Sequence, residues 1–521
     1  MRRPNFLIIV TDQHRADYLG CYGHPVLRTP HIDALAARGT RFERFHVASP
    51  VCMPNRASLL TGRYPSAHGL RLNGGVLSAR ATTFVELLRQ EGYRTASLGK
   101  SHVQPMTDRP AERRAEAAMV KLDAWKDDGG DYTLEQPGHY QGSEPYVFPA
   151  PYYGYDEVDM VTFHGDQAGG HYLQWLRAQR PDADRLRDPA HQLPHGYTCP
   201  QARRTPIPEE LYSTNYIRNR AVDFLRRARG AEQPFFAFVS FPDPHHPFTP
   251  PGRYWDLYDP ADFSVKLSYE AHHNPPPPLR WCRDQWLQGT RHRQGPHDGF
   301  FATEQELREG MALTCGMISM IDDAVGDILR ALEDNGQRED TVVVFTSDHG
   351  DYLGEFNLVL KGALASQAIT RVPFIWSDPH APALVPVASR ALASTIDIAP
   401  TILARCGIEP YHGMQGRSLL PCLDGQGSVQ EDLLIEYQDN RARQGFAQAA
   451  CVRTLVTPRH RLSVYKGEAW GELYDHQEDP DETRNLWGSH AHHALQSSLT
   501  EQLLHKMLEA VDPSPQAHYA A

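Results

Sequence analysis

The chain has no hydrophobic run approaching the roughly 18 residues needed to cross a bilayer as a helix, which argues against a membrane-spanning protein. It also has no basic excess. Lys and Arg number 52 against 64 Asp and Glu, a net charge of −12, which is not the footprint of a nucleic-acid binder. A local anion pocket stays compatible with that balance, because net charge says little about one cleft. Cysteine is sparse: eight in 521 residues, with no CxxC pair and no regular spacing. A disulfide scaffold and a zinc ribbon are thereby disfavoured, and free thiols in a reducing compartment are expected. The opening Met1-Arg2-Arg3 and the short run Phe6 to Val10, closed by Asp12, lack the apolar stretch of a signal peptide. The expected location is cytoplasmic, with no membrane and no nucleic acid as partner. Internal repeats and low-complexity tails are missing too.

What is present suffices for a large core. Hydrophobic residues make up 40% and aromatics 10% of the chain. At about 150 residues per domain, the length allows one large α/β domain with an appendage. Asn5 to Thr11, Tyr93 to Leu98, Phe235 to Phe241, Thr341 to Ser347 and Phe374 to Trp376 read as buried strands. Between them, helices are expected at Pro30 to Gly39, with Thr29 as N-cap, and at Thr83 to Glu91, Pro208 to Arg229 and Thr395 to Arg405. Leu307, Met311, Ile318, Ile321, Val325, Ile328 and Leu332 mark one long amphipathic helix. This alternation predicts a doubly wound, mostly parallel sheet flanked by helices, with ligands at the carboxyl ends of its strands. Residues 105–207 and 271–300 break the rhythm and are expected to form walls of a substrate pocket, surface decoration or an oligomer contact. Tyr152, Tyr153, Trp281 and Trp286 are their candidate aromatic walls, or core. Past about residue 430, short alternating segments such as Leu462 to Tyr465 and a last helix near 493–511 predict a smaller antiparallel α+β subdomain. The expected division is 1–430 and 431–521.

Two acidic pairs end buried strands: Asp12-Gln13 and Asp348-His349. Oxygen ligands so placed suit a hard divalent cation, although each pair alone is also an ordinary cap or turn. Cys52 stands just before or at the start of a helix containing Pro54 and ending at Gly62. There the backbone dipole and Arg56 favour an anion and would lower a thiol pKa; a buried structural cysteine is the plainer reading.

Cys52-x-Pro54-x-Arg56, followed by Ala57-Ser58-Leu59-Leu60-Thr61-Gly62-Arg63, resembles the signature of the type I sulfatases, in the alkaline-phosphatase-like superfamily. The likeness extends over nearly the whole chain. Thr11-Asp12-Gln13 and Thr346-Ser347-Asp348-His349-Gly350-Asp351 resemble the family's metal motifs, and Glu472 to Asp475 with Asp479 to Glu482 its C-terminal subdomain. The resemblance implies oxidation of Cys52 to formylglycine by a formylglycine-generating enzyme, and one divalent ion held by Asp12, Gln13, Asp348, His349 and residue 52. Ca²⁺ is its first choice, with Mn²⁺ or Mg²⁺ next. It further implies that Lys100 and Lys361 bind sulfate, that His245 protonates the leaving group with His246 as a substitute, and that His102 assists collapse of the sulfated intermediate. Asn73 resembles a pocket asparagine. The chain departs from many relatives at Gln13, where they carry Asp, and at Phe356, where they carry His.

The implied reaction is hydrolysis of small anionic sulfate monoesters. A gem-diol at position 52 attacks in line and then expels sulfate by itself, which a serine cannot do. Phosphonate monoester hydrolases share the Cys-x-Pro-x-Arg motif and the Asp-Gln pair, so their activity is the alternative; Lys100 and His102 favour sulfate, Gln13 and Asn73 the other class. A non-catalytic protein with unmodified Cys52 and a metal phosphomonoesterase are remoter. A homo-oligomer is implied by analogy alone.

Overall fold

The computed structural model describes residues 3–109, 124–291, 295, 297–381 and 388–518. Residues 110–123, 292–294 and 296 of the two irregular segments lie outside the described residues. The core is a nine-stranded sheet. In chain order its strands are β1 (Asn5–Thr11), β2 (Thr40–Phe42), β3 (Arg94–Gly99), β4 (Glu157–Thr162), β5 (Gly169–Gly170), β6 (Phe235–Ser240), β7 (Thr341–Ser347), β8 (Phe374–Ser377) and β9 (Ala388–Ser389). Their spatial order is β9-β2-β8-β7-β1-β6-β3-β4-β5. The five strands from β7 to β4 run parallel, while β8 pairs antiparallel with both β7 and β2.

β1 shows why this sheet is buried on both faces. Leu7 and Ile9 enter one apolar layer, Phe6, Ile8 and Val10 the other, and all five are fully buried. Helices α1 (Pro30–Ala37), α5 (Ser213–Arg227) and α7 (Glu304–Asp334) cover the first face; α2 (Cys52–Thr61), α3 (Phe84–Gln90) and α8 (Ile398–Cys406) cover the second. α7 begins on a capping box in which the Thr303 hydroxyl accepts from the Glu306 N–H and the Glu306 carboxylate from the Thr303 N–H. α5 starts at Ser213, after a 3₁₀ turn at Glu209–Leu211, later than the expected Pro208. Thr29 caps α1 without a side-chain bond to its backbone; the hydroxyl donates to Asp33 instead.

Beyond residue 430, β10 (Leu433–Gln438), β11 (Cys451–Val456), β12 (His460–Tyr465) and β13 (Gly471–Asp475) form an antiparallel sheet in that order, on which α9 (His493–Glu509) packs. The expected mixed α/β class is therefore found. The irregular segments need correction. Residues 105–207 contribute β4, β5 and the helix α4 (His171–Gln179), and 271–300 contribute the helix α6 (Pro277–Leu287). Tyr152 is buried in the second apolar layer with Tyr153 half-buried against it, and Trp281 and Trp286 are half-buried against the cluster around Tyr352. All eight cysteines are free. Among the described residues, no helix is long and apolar enough to cross a membrane.

Candidate active site

The site lies where the parallel strands end. Thr11 and Ser347 are partners across β1 and β7, so Asp12 and Asp348 leave the sheet side by side; the Asp348 N–H donates to the Thr11 carbonyl at 3.1 Å. Gly99 is paired with Ser240 across β3 and β6, and the Lys100 N–H donates to the Ser240 carbonyl at 2.9 Å. Gly99 turns here with φ +111°, and a Cβ on it would stand 2.0 Å from the Ser240 oxygen, so only glycine delivers Lys100 to this point.

Cys52 is the first residue of α2, which is buried over its whole length and closes at Gly62 in the left-handed conformation. Pro54 sits in the first turn, where its missing N–H costs nothing. Val51 supplies no side-chain cap; Asn73 accepts from the Met53 N–H at 3.2 Å instead. Asn73 thus holds the helix start next to Cys52.

Around the Cys52 sulfur stand His349 Nε2 at 3.0 Å, Lys361 Nζ at 3.3 Å and Asp12 Oδ1 at 4.0 Å. Burial and Asp12 would raise the thiol pKa, but Lys361 and His349 outweigh them and hold it below the ordinary thiol value. Arg56 binds the two carboxylates together: Nε donates to Asp348 Oδ2 at 2.7 Å, Nη2 lies 3.5 Å from Asp12 Oδ2, and Nη1 donates to the Lys100 carbonyl and the Ser240 hydroxyl, each at 2.9 Å. Lys100 pairs directly with Asp12 and lies 2.6 Å from His164 Nε2. Despite full burial, Asp12 stays well below the usual carboxylate range because Lys100, His245 and Arg56 face it.

Lys361 is the hub. Its ammonium lies 3.1 Å from Gln13 Oε1, 3.1 Å from His349 Nε2 and 3.2 Å from His245 Nε2. His245 bonds through Nδ1 to the His246 carbonyl at 2.6 Å, and His349 through Nδ1 to the Gly350 carbonyl at 2.8 Å. Each carbonyl makes Nδ1 the protonated nitrogen and turns the Nε2 lone pair inward. His102 is placed differently. It is half-buried with φ 58°, its buried Nδ1 has no partner, and no bond ties its ring to Cys52. Burial, then Lys100 and Arg56, keep it neutral.

The donor set fits a divalent cation. One ligand atom from each of Asp12, Cys52, Asp348 and His349 lies within 4.8 Å of the others, all buried. Gln13 adds a carbonyl oxygen oriented from behind, because its Nε2 donates to Asp351 Oδ2 at 2.6 Å and touches His246 Nδ1 at 3.0 Å. Outer partners of this kind fix ligand direction in metal sites.

Several residues of the site had not been singled out in the sequence. His164 stacks on His245 with ring centres 3.5 Å apart and also approaches Asp12 at 3.6 Å. His297 meets His246 at 2.8 Å. Glu135 accepts from the backbone N–H groups of His102, Val103 and Gln104 at 2.9, 3.0 and 3.1 Å, and from the Tyr152 hydroxyl at 2.7 Å. Phe356, by contrast, packs away from Cys52, beside His272 and Tyr352.

Lys361 on the buried Cys52, with Lys100 and Arg56 on the carboxylates beside it, makes a cationic, ion-ready pocket that suits the hydrolysis of an anionic ester. Comparison with known proteins agrees. The Sulfatase family model matches residues 4–408, and the model described as N-sulphoglucosamine sulphohydrolase, C-terminal, matches residues 354–509. The chain is 30% identical to the uncharacterized sulfatase YidJ of Escherichia coli over 98% of its own length and 89% of that protein. It is 27% identical to an arylsulfatase of Clostridium perfringens, covering 94% and 91% of the two chains. The phosphonate monoester hydrolase of Agrobacterium radiobacter superposes with a TM-score of 0.76 at 24% identity, covering 98% and 97%. The chain belongs to the sulfatase family and is a sulfuric ester hydrolase.

Proposed function

We propose that the protein hydrolyses sulfate monoesters of the arylsulfatase type, with Cys52 oxidised to formylglycine by a formylglycine-generating enzyme and one divalent ion, Ca²⁺ first, on Asp12, Gln13, Asp348, His349 and residue 52. The observation that carries this reading is the placing of Cys52: it opens a buried helix and faces Lys361, His349 and Asp12 at once. Hydrated, the aldehyde supplies a hydroxyl to attack sulfur and a second one whose deprotonation expels sulfate. A divalent ion held by these residues would neutralise oxyanion charge and acidify the attacking hydroxyl, whose proton the Asp348 carboxylate would accept.

The chain's own residues do the rest. Lys100 and Lys361 stand on either side of Asp12 and residue 52 and bind the ester's oxygens. Arg56 holds both carboxylates in place. Lys361 and His245, 3.2 Å apart, share the proton that the departing alcohol takes, with the ammonium recharging the imidazole. His102, neutral and with an open Nδ1, takes the proton from the second hydroxyl.

Phosphonate monoesters and phosphate diesters are the second reading, favoured by Gln13 in place of an acid: a neutral ligand leaves more net positive charge for the phosphorus centre. Steady-state kinetics on an aryl sulfate and on a phenyl phosphonate monoester decide the order. A larger kcat/KM is expected for the sulfate, and a much larger value for the phosphonate would reverse the assignment.

A further inference from the structure

A second cleft, of about 1020 Å³, is lined by none of Asp12, Cys52, Lys100, His245 or Lys361. One corner of it collects arginines from three places in the chain: Arg44 after β2, Arg371 before β8, and Arg390 after β9. The backbone brings them together. Ser389 pairs with Phe42 across β9 and β2, the Glu43 N–H donates to the Ser389 carbonyl at 2.8 Å, and His46 and Arg371 form an isolated antiparallel bridge.

These guanidinium groups make no direct contact with a carboxylate, although Arg371 acts on Asp17 from a distance. Arg44 donates to the Pro458 carbonyl at 2.7 Å and Arg371 reaches the Glu43 carbonyl at 3.5 Å. Among the described residues no acid forms an ion pair with Arg44, Arg371 or Arg390. Five of the six acids lining the cleft are engaged elsewhere: Glu43 with Arg41, Asp17 and Glu355 with Arg15, Asp481 with Lys266, and Glu482 with Arg461; the sixth, Asp262, is exposed and forms no ion pair among the described residues. Burial, then Arg390 and Arg371, pull the Arg44 pKa down. His46 is buried, lines the same corner, and leaves its Nδ1 without a partner. Burial, then Arg371, His476 and Arg44, push it down to about 3, so it is a neutral ring with a polar atom to spare.

Like charges gathered without a directly bonded counter-charge are a natural seat for an anion. Guanidinium forks match tetrahedral oxyanions bidentately. We propose that this corner is an anion-binding site for a tetrahedral dianion, either the sulfate that the reaction releases or inorganic phosphate, held among Arg44, Arg371 and Arg390 and apart from the Cys52 centre.

The test is isothermal titration of the full-length, metal-loaded protein with sodium sulfate and, separately, with sodium phosphate, at an ionic strength fixed with sodium chloride. Wild type is expected to show a site that survives Lys361→Ala, and that weakens at least about tenfold in Arg44→Gln/Arg390→Gln while aryl-sulfate turnover holds. Arg371→Lys keeps the charge and removes the fork; it is expected to weaken the same site and replaces the pair if the double variant does not fold. Binding of either anion at that site supports the proposal, and the arm that binds identifies the source. Undiminished affinity in the arginine variants, or anion binding that Lys361→Ala abolishes completely, would overturn it.

Discussion

At the scale of single residues, the centre depends on groups that aim other groups. Gln13, the proposed neutral ligand, turns its oxygen toward Lys361 because Asp351 holds its amide nitrogen. Asp351 itself is buried, which lifts its pKa to about 6, and accepts from the Leu353 and Leu360 N–H groups at 2.8 and 2.7 Å. In Asp351→Asn the new amide meets the Gln13 amide donor to donor, so Gln13 turns its oxygen away from the ion. Affinity for Ca²⁺ is expected to fall roughly 10- to 100-fold, read by titrating Ca²⁺ into chelator-stripped protein; an unchanged affinity would remove Gln13 from the ligand set. The candidate ligands Asp12, Gln13, Cys52, Asp348 and His349, and Arg56 between the carboxylates, were legible because each lies beside a strand end or helix start visible as an apolar run or a Pro–Gly frame. His164 and His297 were not, because turns rather than any local spacing bring them in; Asp351 lies inside the second motif but had no role of its own there.

At the scale of elements, β4 explains one of those omissions. Glu157 and Asp159 interrupt its apolar pattern, and both make ion pairs at the surface, with Arg94 and Arg227 and with Arg220. A strand so polar does not read as part of a buried sheet, yet it runs parallel beside β3 and delivers His164 next to Lys100. Glu135, from the same irregular segment, clamps the turn after β3 through three backbone N–H groups. Glu135→Ala strands those donors, each worth about 1–3 kcal/mol when buried and unpaired, and frees the Lys100–His102 turn. The expected result is at least a tenfold loss of aryl-sulfate kcat/KM, with Glu135→Gln retaining more activity because one oxygen still accepts. Equal kinetics in wild type and Glu135→Ala would show that the clamp does not position the turn. By contrast β1 and β7 were readable to their ends and α7 over its apolar stripe from Leu307 to Leu332, since long apolar runs and periodicity leave few alternatives.

At the scale of the whole molecule, the small sheet is tied together by a buried ion cluster. Arg461, fully buried, donates to Glu482 at 2.7 Å and to Glu472 at 3.3 Å, and His476 meets Glu482 at 2.8 Å. Burial opposes it, but Arg461 and His476 bring Glu482 down from 4.5 to about 2. A carboxylate with a depressed folded pKa stabilises the fold above its unfolded value, and that contribution is lost as pH falls through 4.5 toward 2. Thermal melts from pH 6 to 2 are expected to show wild type losing up to about 3 kcal/mol of stability from this group. Glu482→Gln is expected to start lower and fall less steeply; parallel curves would mean that the cluster does not carry the acid sensitivity.

The large sheet, its two helical faces and the appended sheet serve a single purpose in this reading, which is to hold one side chain, at the start of α2, against Lys361 and an ion, with Lys100 and Arg56 on the carboxylates beside it. Turnover of an aryl sulfate by Cys52→Ser, produced like wild type together with the formylglycine-generating enzyme, tests that most directly. Serine keeps a hydroxyl in place but has no second one to expel sulfate, so kcat is expected to fall at least ~10³-fold. A Cys52→Ser enzyme turning over as fast as wild type would contradict the assignment.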